Sequence, residues 1–97
     1  MQHITYQELK KWKANQKPFQ LIDVREHDEH EAYNIGGLLI PLDLILKKPE
    51  LLDFSKPIVL YCKRGIRSQL AIQRLSIRYP NAQFYNLSKG ILPLFSV

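Results

Sequence analysis

The sequence holds one cysteine and no run of about 18 uninterrupted apolar residues. A lone cysteine cannot close an internal disulfide. With only three scattered histidines, His3, His27 and His30, it does not make a structural zinc site either. If the thiol matters, it matters as a thiol. The opening stretch MQHITYQELKKWK lacks the apolar core of a signal peptide, so the cytoplasm is the expected compartment and no membrane association is expected. Low-complexity segments and internal repeats are missing as well. The net charge of +5 raises the question of nucleic acid, but the lysines and arginines are spread along the chain. No aromatic residues alternate with them as a stacking platform requires, so no nucleic-acid partner is expected.

What is present fits one globular domain over residues 1–97, with 45% hydrophobic and 24% charged residues. A chain of this size buries only ~60–68% of its unfolded surface, so its stability rests on a small core. Thr5-Tyr6-Gln7-Glu8 has the capping-box pattern and predicts a helix from about Tyr6 to Ala14. Phe19 to Val24 reads as a strand after the Asn15–Pro18 turn, followed by a brief polar helix over Glu26–Tyr33. Leu38-Leu39-Ile40 predicts a short buried strand ending at Pro41, and Leu42–Leu52 a helix broken in two by Pro49. Ile58-Val59-Leu60-Tyr61 is a continuous apolar run, as in strands covered on both faces. A helix over Arg67–Tyr79 should turn Ala71, Ile72, Leu75 and Tyr79 to the sheet. Gln83–Leu87 is the last expected strand, and Gly90–Phe95 a terminal turn or helix.

Strands alternating with helices imply a parallel sheet, helices on both faces and right-handed crossovers, with ligands at the C-terminal strand ends. Asp23 and Cys62 both fall at such ends. For Cys62 two readings stand side by side, because free cysteine is among the most buried residue types and often only packs. The residues that follow it, Lys63, Arg64, Gly65, Ile66 and Arg67, favour reaction over packing: three cations and a glycine serve no purpose around an apolar thiol. A loop curled around the sulfur would aim backbone N–H groups inward as an anion nest, beside a helix N-terminus. Such a setting is expected to lower the thiol pKa from ~8.5 and make the thiolate available. Cys62 is therefore the candidate nucleophile, and Lys63, Arg64, Gly65, Ile66 and Arg67 the candidate substrate-binding loop, with Arg67 best placed to support an anion.

Three blocks, Leu21–Glu26, Asn34–Leu42 and Tyr61–Ser68, together resemble the signature segments of single-domain rhodaneses. Their wording is similar to that of the rhodanese domains attached to the adenylyltransferases of molybdopterin and thiamine biosynthesis. The resemblance implies a three-layer α/β/α fold around a five-stranded parallel sheet in the order 3-2-4-5-1. It also implies a sulfurtransferase that carries a persulfide on Cys62 and needs no metal or organic cofactor. The donor would be thiosulfate or a protein or low-molecular-weight persulfide, and the partners a sulfur-carrier protein, a cysteine desulfurase or a thioredoxin-like acceptor; the chain itself is expected to be a monomer. By the same resemblance Asp23 and Arg25 organise the region below the loop or form a structural ion pair, and neither is read as catalytic.

Two rival readings belong beside it. A related family of phosphatases and arsenate reductases has one more residue between cysteine and arginine than the four between Cys62 and Arg67. A non-enzymatic binding or sulfur-relay module is the other. The chain also departs from the rhodanese pattern: Lys89-Gly90 stands where relatives have a glycine pair, Leu94 where they often have tryptophan, and Leu38 where alanine is more frequent. Lys89 is either a cation at the mouth of the site or a tolerated surface lysine.

Overall fold

In the computed structural model, which describes residues 1–95, the capping box forms as expected. The Thr5 hydroxyl accepts from the Glu8 amide at 3.1 Å, and the Glu8 carboxylate accepts from the Thr5 amide at 3.0 Å. These bonds start α1 (Tyr6–Ala14), directly after the short strand β1 (Gln2–Ile4). The chain continues as β2 (Gln20–Asp23), α2 (His27–Ala32), β3 (Leu38–Leu39) and α3 (Leu42–Lys47). A 3-10 turn over Pro49–Leu51 follows, set off by Pro49 as the sequence requires. Then come β4 (Ile58–Tyr61), α4 (Ile66–Arg78), β5 (Phe84–Leu87) and α5 (Leu92–Phe95).

All strand pairs are parallel, in the order β1-β5-β4-β2-β3, which is the expected order read from the other edge. The central β4 is buried along its whole length, and its alternating side chains supply two cores. Ile58 and Leu60 join Ile22, Ala71, Ile72 and Leu75 on the α3/α4 side. Val59 and Tyr61 join Ile4, Leu9, Leu87 and Ile91 on the α1 side. Trp12 sits at the border of that second core, edge-on to Tyr85 with ring centroids 5.1 Å apart.

Two expectations change. The third strand is not a buried one: as the edge of the sheet it leaves Leu38 53% exposed, and only Ile40, just beyond it, is buried. Tyr79 is not part of the helix that ends at Arg78; it stacks on Phe54, with centroids 4.4 Å apart, at the margin of the first core. No helix among the described residues is long and apolar enough to cross a membrane.

Candidate active site

The register places the C-terminal ends of the three inner strands side by side, with Asp23 opposite Tyr61 and Leu60 opposite Asn86. Cys62 follows directly and is 1% exposed, a free thiol. Four residues, Cys62 to Gly65, turn the chain into α4. The turn works because Gly65 takes φ +89°, a left-handed conformation that side-chain-bearing residues rarely adopt. Its amide then points back at the sulfur, 3.1 Å away, and the Ser68 amide joins it at 3.4 Å. Two N–H donors thus converge on Sγ, the arrangement that stabilises negative charge on a sulfur.

The segment after β5 holds the loop from outside. Ile91 and Leu92 donate their amides to the carbonyls of Cys62 and Lys63, at 3.1 and 2.9 Å. With those carbonyls tied outward, the amide side of the loop is left to face the thiol. This contact admits no side chain at Gly90, where a Cβ would lie 2.3 Å from the Lys63 carbonyl oxygen. Lys89, at φ +64°, occupies a backbone region that a glycine takes freely and a lysine only at a cost of roughly 1 kcal/mol. Its side chain is exposed and borders a hollow with Thr5, Tyr6 and Leu94, so neither Lys89 nor Leu94 lines the cysteine pocket.

Behind the thiol lies a buried polar chain. Ser68 Oγ is 3.4 Å from Cys62 Sγ and donates to Asn86 Oδ1 at 2.5 Å, while Asn86 Nδ2 donates to the Gly65 carbonyl at 3.2 Å. The last bond fixes which way the Asn86 amide faces, so the single Ser68 proton is committed to Asn86 and the sulfur meets a lone pair. The Ser68 hydroxyl can turn its proton to the sulfur only by giving up Asn86. Asn86→Ala is expected to free this proton and to make Cys62 alkylate several-fold faster at neutral pH, an effect that Ser68→Ala in the same chain removes. Alkylation no faster than in the parent protein would contradict the arrangement.

A pocket of about 270 Å³ opens over the sulfur, lined by Cys62, Lys63, Arg64, Ile66 and Arg67. The structure therefore brings together every expected loop residue, with Gly65 contributing its amide rather than a wall. Arg67 is already engaged: its guanidinium grips Glu29 of α2 at 2.7 and 2.9 Å. That grip, above all the Arg67 hydrogen bond, holds the Glu29 carboxyl at about 2, below its ordinary 4.5. Both side chains are about one-third exposed, so screening reduces the stabilisation to about 1 kcal/mol. A depressed carboxylate stabilises the fold above its ordinary value and stops doing so as pH falls from 4.5 through about 2. The urea midpoint of Glu29→Gln should accordingly lie below that of the parent at neutral pH and meet it at the acid end of that window. A gap that ignores pH would contradict the pairing.

Below the loop, Asp23 and Arg25 form the ion pair that was one of the two expected roles. Asp23 is 0% and Arg25 2% exposed, with Nε to Oδ1 at 3.0 Å and Nη2 to Oδ2 at 2.9 Å. His30 Nδ1 sits 2.8 Å from Asp23 Oδ2, and Arg25 also donates to the Tyr33 carbonyl. The Tyr61 hydroxyl donates to the Gly36 carbonyl at 2.9 Å, and burial above all pushes it up to about 12. Glu29, His30 and Asn86 were not legible as site residues: α2 has no buried residue to announce it, and the partner of Glu29 is 38 positions away. Among the described residues no cluster of three or more His, Cys, Asp and Glu could hold a metal.

Comparison with known proteins adds four findings. The family model for the rhodanese-like domain matches residues 5–92. The chain is 34% identical over 87 residues to the adenylyltransferase and sulfurtransferase MOCS3 of Drosophila ananassae, covering 81% of this chain but only 19% of that protein. It is 36% identical over 80 residues to the uncharacterized protein YqhL of Bacillus subtilis, covering 81% of this chain and 63% of that one. The fold superposes on the crystal structure of a rhodanese-like domain protein from Staphylococcus aureus with a TM-score of 0.81 and 28% identity, over 94% of this chain and 88% of that one.

Proposed function

The chain belongs to the rhodanese-like domain family, and from that membership and the Cys62 loop we propose a sulfurtransferase that carries a persulfide on Cys62. The observation that carries the proposal is the pair of amides, from Gly65 and Ser68, aimed at a buried free thiol under a pocket walled by Lys63 and Arg64. In the first half-reaction the Cys62 thiol loses its proton to solvent and the thiolate attacks the outer sulfur of a donor such as thiosulfate. A sulfur–sulfur bond forms, and the donor's own sulfur–sulfur bond breaks with its electron pair leaving on sulfite. In the second, a thiophilic acceptor attacks the terminal persulfide sulfur, and the electron pair of the broken bond returns Cys62 to the thiolate. The loop amides hold the anionic charge in both halves. A protein or small-molecule persulfide can replace thiosulfate, and a thioredoxin-like protein, a sulfur carrier or cyanide can act as acceptor. A working free thiol suits a reducing compartment, so the cytoplasm is the proposed location and a monomer the proposed form.

A phosphatase reading fares worse. An arginine that would clasp a phosphate needs both prongs of its fork, and Glu29 already occupies those of Arg67. No hydrolysis of an aryl phosphate is expected. The direct test is the intact mass after incubation with thiosulfate, which should rise by one sulfur, about 32 Da, and fall back on adding cyanide. A thiol shown free beforehand that gains no mass would rule out thiosulfate as donor.

A further inference from the structure

Helix α4 has a second apolar face. Its core side is Ser68, Ala71, Ile72 and Leu75, all buried. On the opposite side Ile66, Leu70 and Ile77 line up at i, i+4 and i+11, exposed by 72%, 37% and 82%. Three large aliphatic residues in one solvent-facing stripe are more than scattered exposure. The stripe extends for about 16 Å along the helix, with the exposed Gln73 between Leu70 and Ile77 and a hollow at each end. Ile66 is itself a wall of the Cys62 pocket. Past Ile77, Arg78 and Tyr79 border a cavity of about 320 Å³ also lined by Phe54 and Ala82, with no cysteine, serine, histidine or carboxylate in its lining.

Charge adds an independent observation. No aspartate or glutamate follows Asp53, whereas seven lysines and arginines do. The cysteine loop and α4 therefore carry cations alone. Arg67, Arg74 and Arg78 run at i, i+7 and i+11 along one border of the stripe, and Arg74 and Arg78 are exposed and free of ion pairs among the described residues. An apolar strip with a charged rim is the anatomy of a protein interface.

We propose that the outer face of α4 is the docking surface for an acidic protein that delivers sulfur to Cys62 or takes it away. This rests on the sulfur-transfer reading and adds the partner's chemistry and its track: apolar contacts on Ile66, Leu70 and Ile77, carboxylates toward Arg74 and Arg78, and a side chain in the distal cavity. Docking there brings the partner's reactive group to the mouth of a pocket whose sulfur is almost entirely enclosed. A second copy of the chain is a poor occupant, because two carboxylate-free faces repel each other. A lipid surface supplies no sulfur chemistry at the mouth, and nucleic acid would find no aromatic platform on the stripe.

A photoreactive benzophenone side chain at Ile77, introduced in cells, tests the surface. The expected principal adduct is an acidic protein that, once purified, exchanges sulfur with Cys62. That exchange should weaken as salt rises and slow about tenfold or more in both Leu70→Ser/Ile77→Ser and Arg74→Glu/Arg78→Glu. Discharge of the same persulfide to cyanide, measured as the check on folding and on the thiol, should stay within about twofold. Adducts to lipid, to nucleic acid or to a second copy of the chain overturn the proposal. So do the absence of an adduct, an adducted protein that exchanges no sulfur, and variants that slow both acceptors alike or neither. If the parent chain never takes up sulfur from any donor, the sulfur-transfer reading fails instead, and the identity of the adduct alone judges the surface.

Discussion

Cys62→Ser is expected to abolish sulfur uptake outright while leaving the fold in place. Serine has nearly the shape of cysteine, and its oxygen would find the same two donors, the Gly65 and Ser68 amides, so the buried hydroxyl is not left unsatisfied. The stability change should stay within about 1 kcal/mol. Chemistry fares differently, because an alkoxide is far harder to form than a thiolate at neutral pH and an oxygen does not sustain the persulfide. The parent chain should gain one sulfur from thiosulfate and Cys62→Ser none, with coincident urea transitions. A serine variant that still gains sulfur would move the reaction off Cys62 altogether, since no other cysteine exists in the chain.

Asp23→Asn is expected to do the opposite and cost stability rather than chemistry. In the parent, Oδ1 of Asp23 accepts from the Arg25 amide and Nε, both at 3.0 Å, and Oδ2 faces Arg25 Nη2 and His30. Both members of the pair are buried, so the substitution strands the Arg25 charge in a low-dielectric interior. Breaking such a pair from one side costs about 3–5 kcal/mol. For a domain of this length each kcal/mol lowers the melting temperature by roughly 4–8 °C. A large loss in thermal midpoint is therefore expected, with sulfur uptake preserved in whatever fraction stays folded, since the hydrogen bonds to Cys62 Sγ come from Gly65 and Ser68 and none from this network. A variant of undiminished stability would show the pair to be solvated, against its burial; one that stays folded but has lost uptake would give Asp23 a direct part in the chemistry.

The contrast between these two residues bears on what the sequence made legible. Cys62 was readable because its surroundings are local: an apolar strand, three cations and a glycine lie within ten positions of it. Arg67 was only half readable. The sequence brings its charge near the thiol, but Glu29, distant in sequence, claims both prongs of its fork. Asn86 carried no signal at all in isolation; it matters because β5 lies next to β4 and sets its amide behind the loop. Leu38 misled, because an apolar pair reads the same in an edge strand as in a buried one.

By itself the sequence determined the helices and the strands from β2 to β5, though not β1, together with the capping box at Thr5, the break at Pro49 and the chemical character of the Cys62 loop. Each depends on residues within one turn or one strand, where periodicity, proline geometry and charge act directly. Only the tertiary structure decided which carboxylate neutralises Arg67, which amide orients Ser68 and why Gly90 admits no side chain. Those are contacts between segments far apart in the chain, and strand order and register, rather than any local preference, bring them within hydrogen-bonding distance.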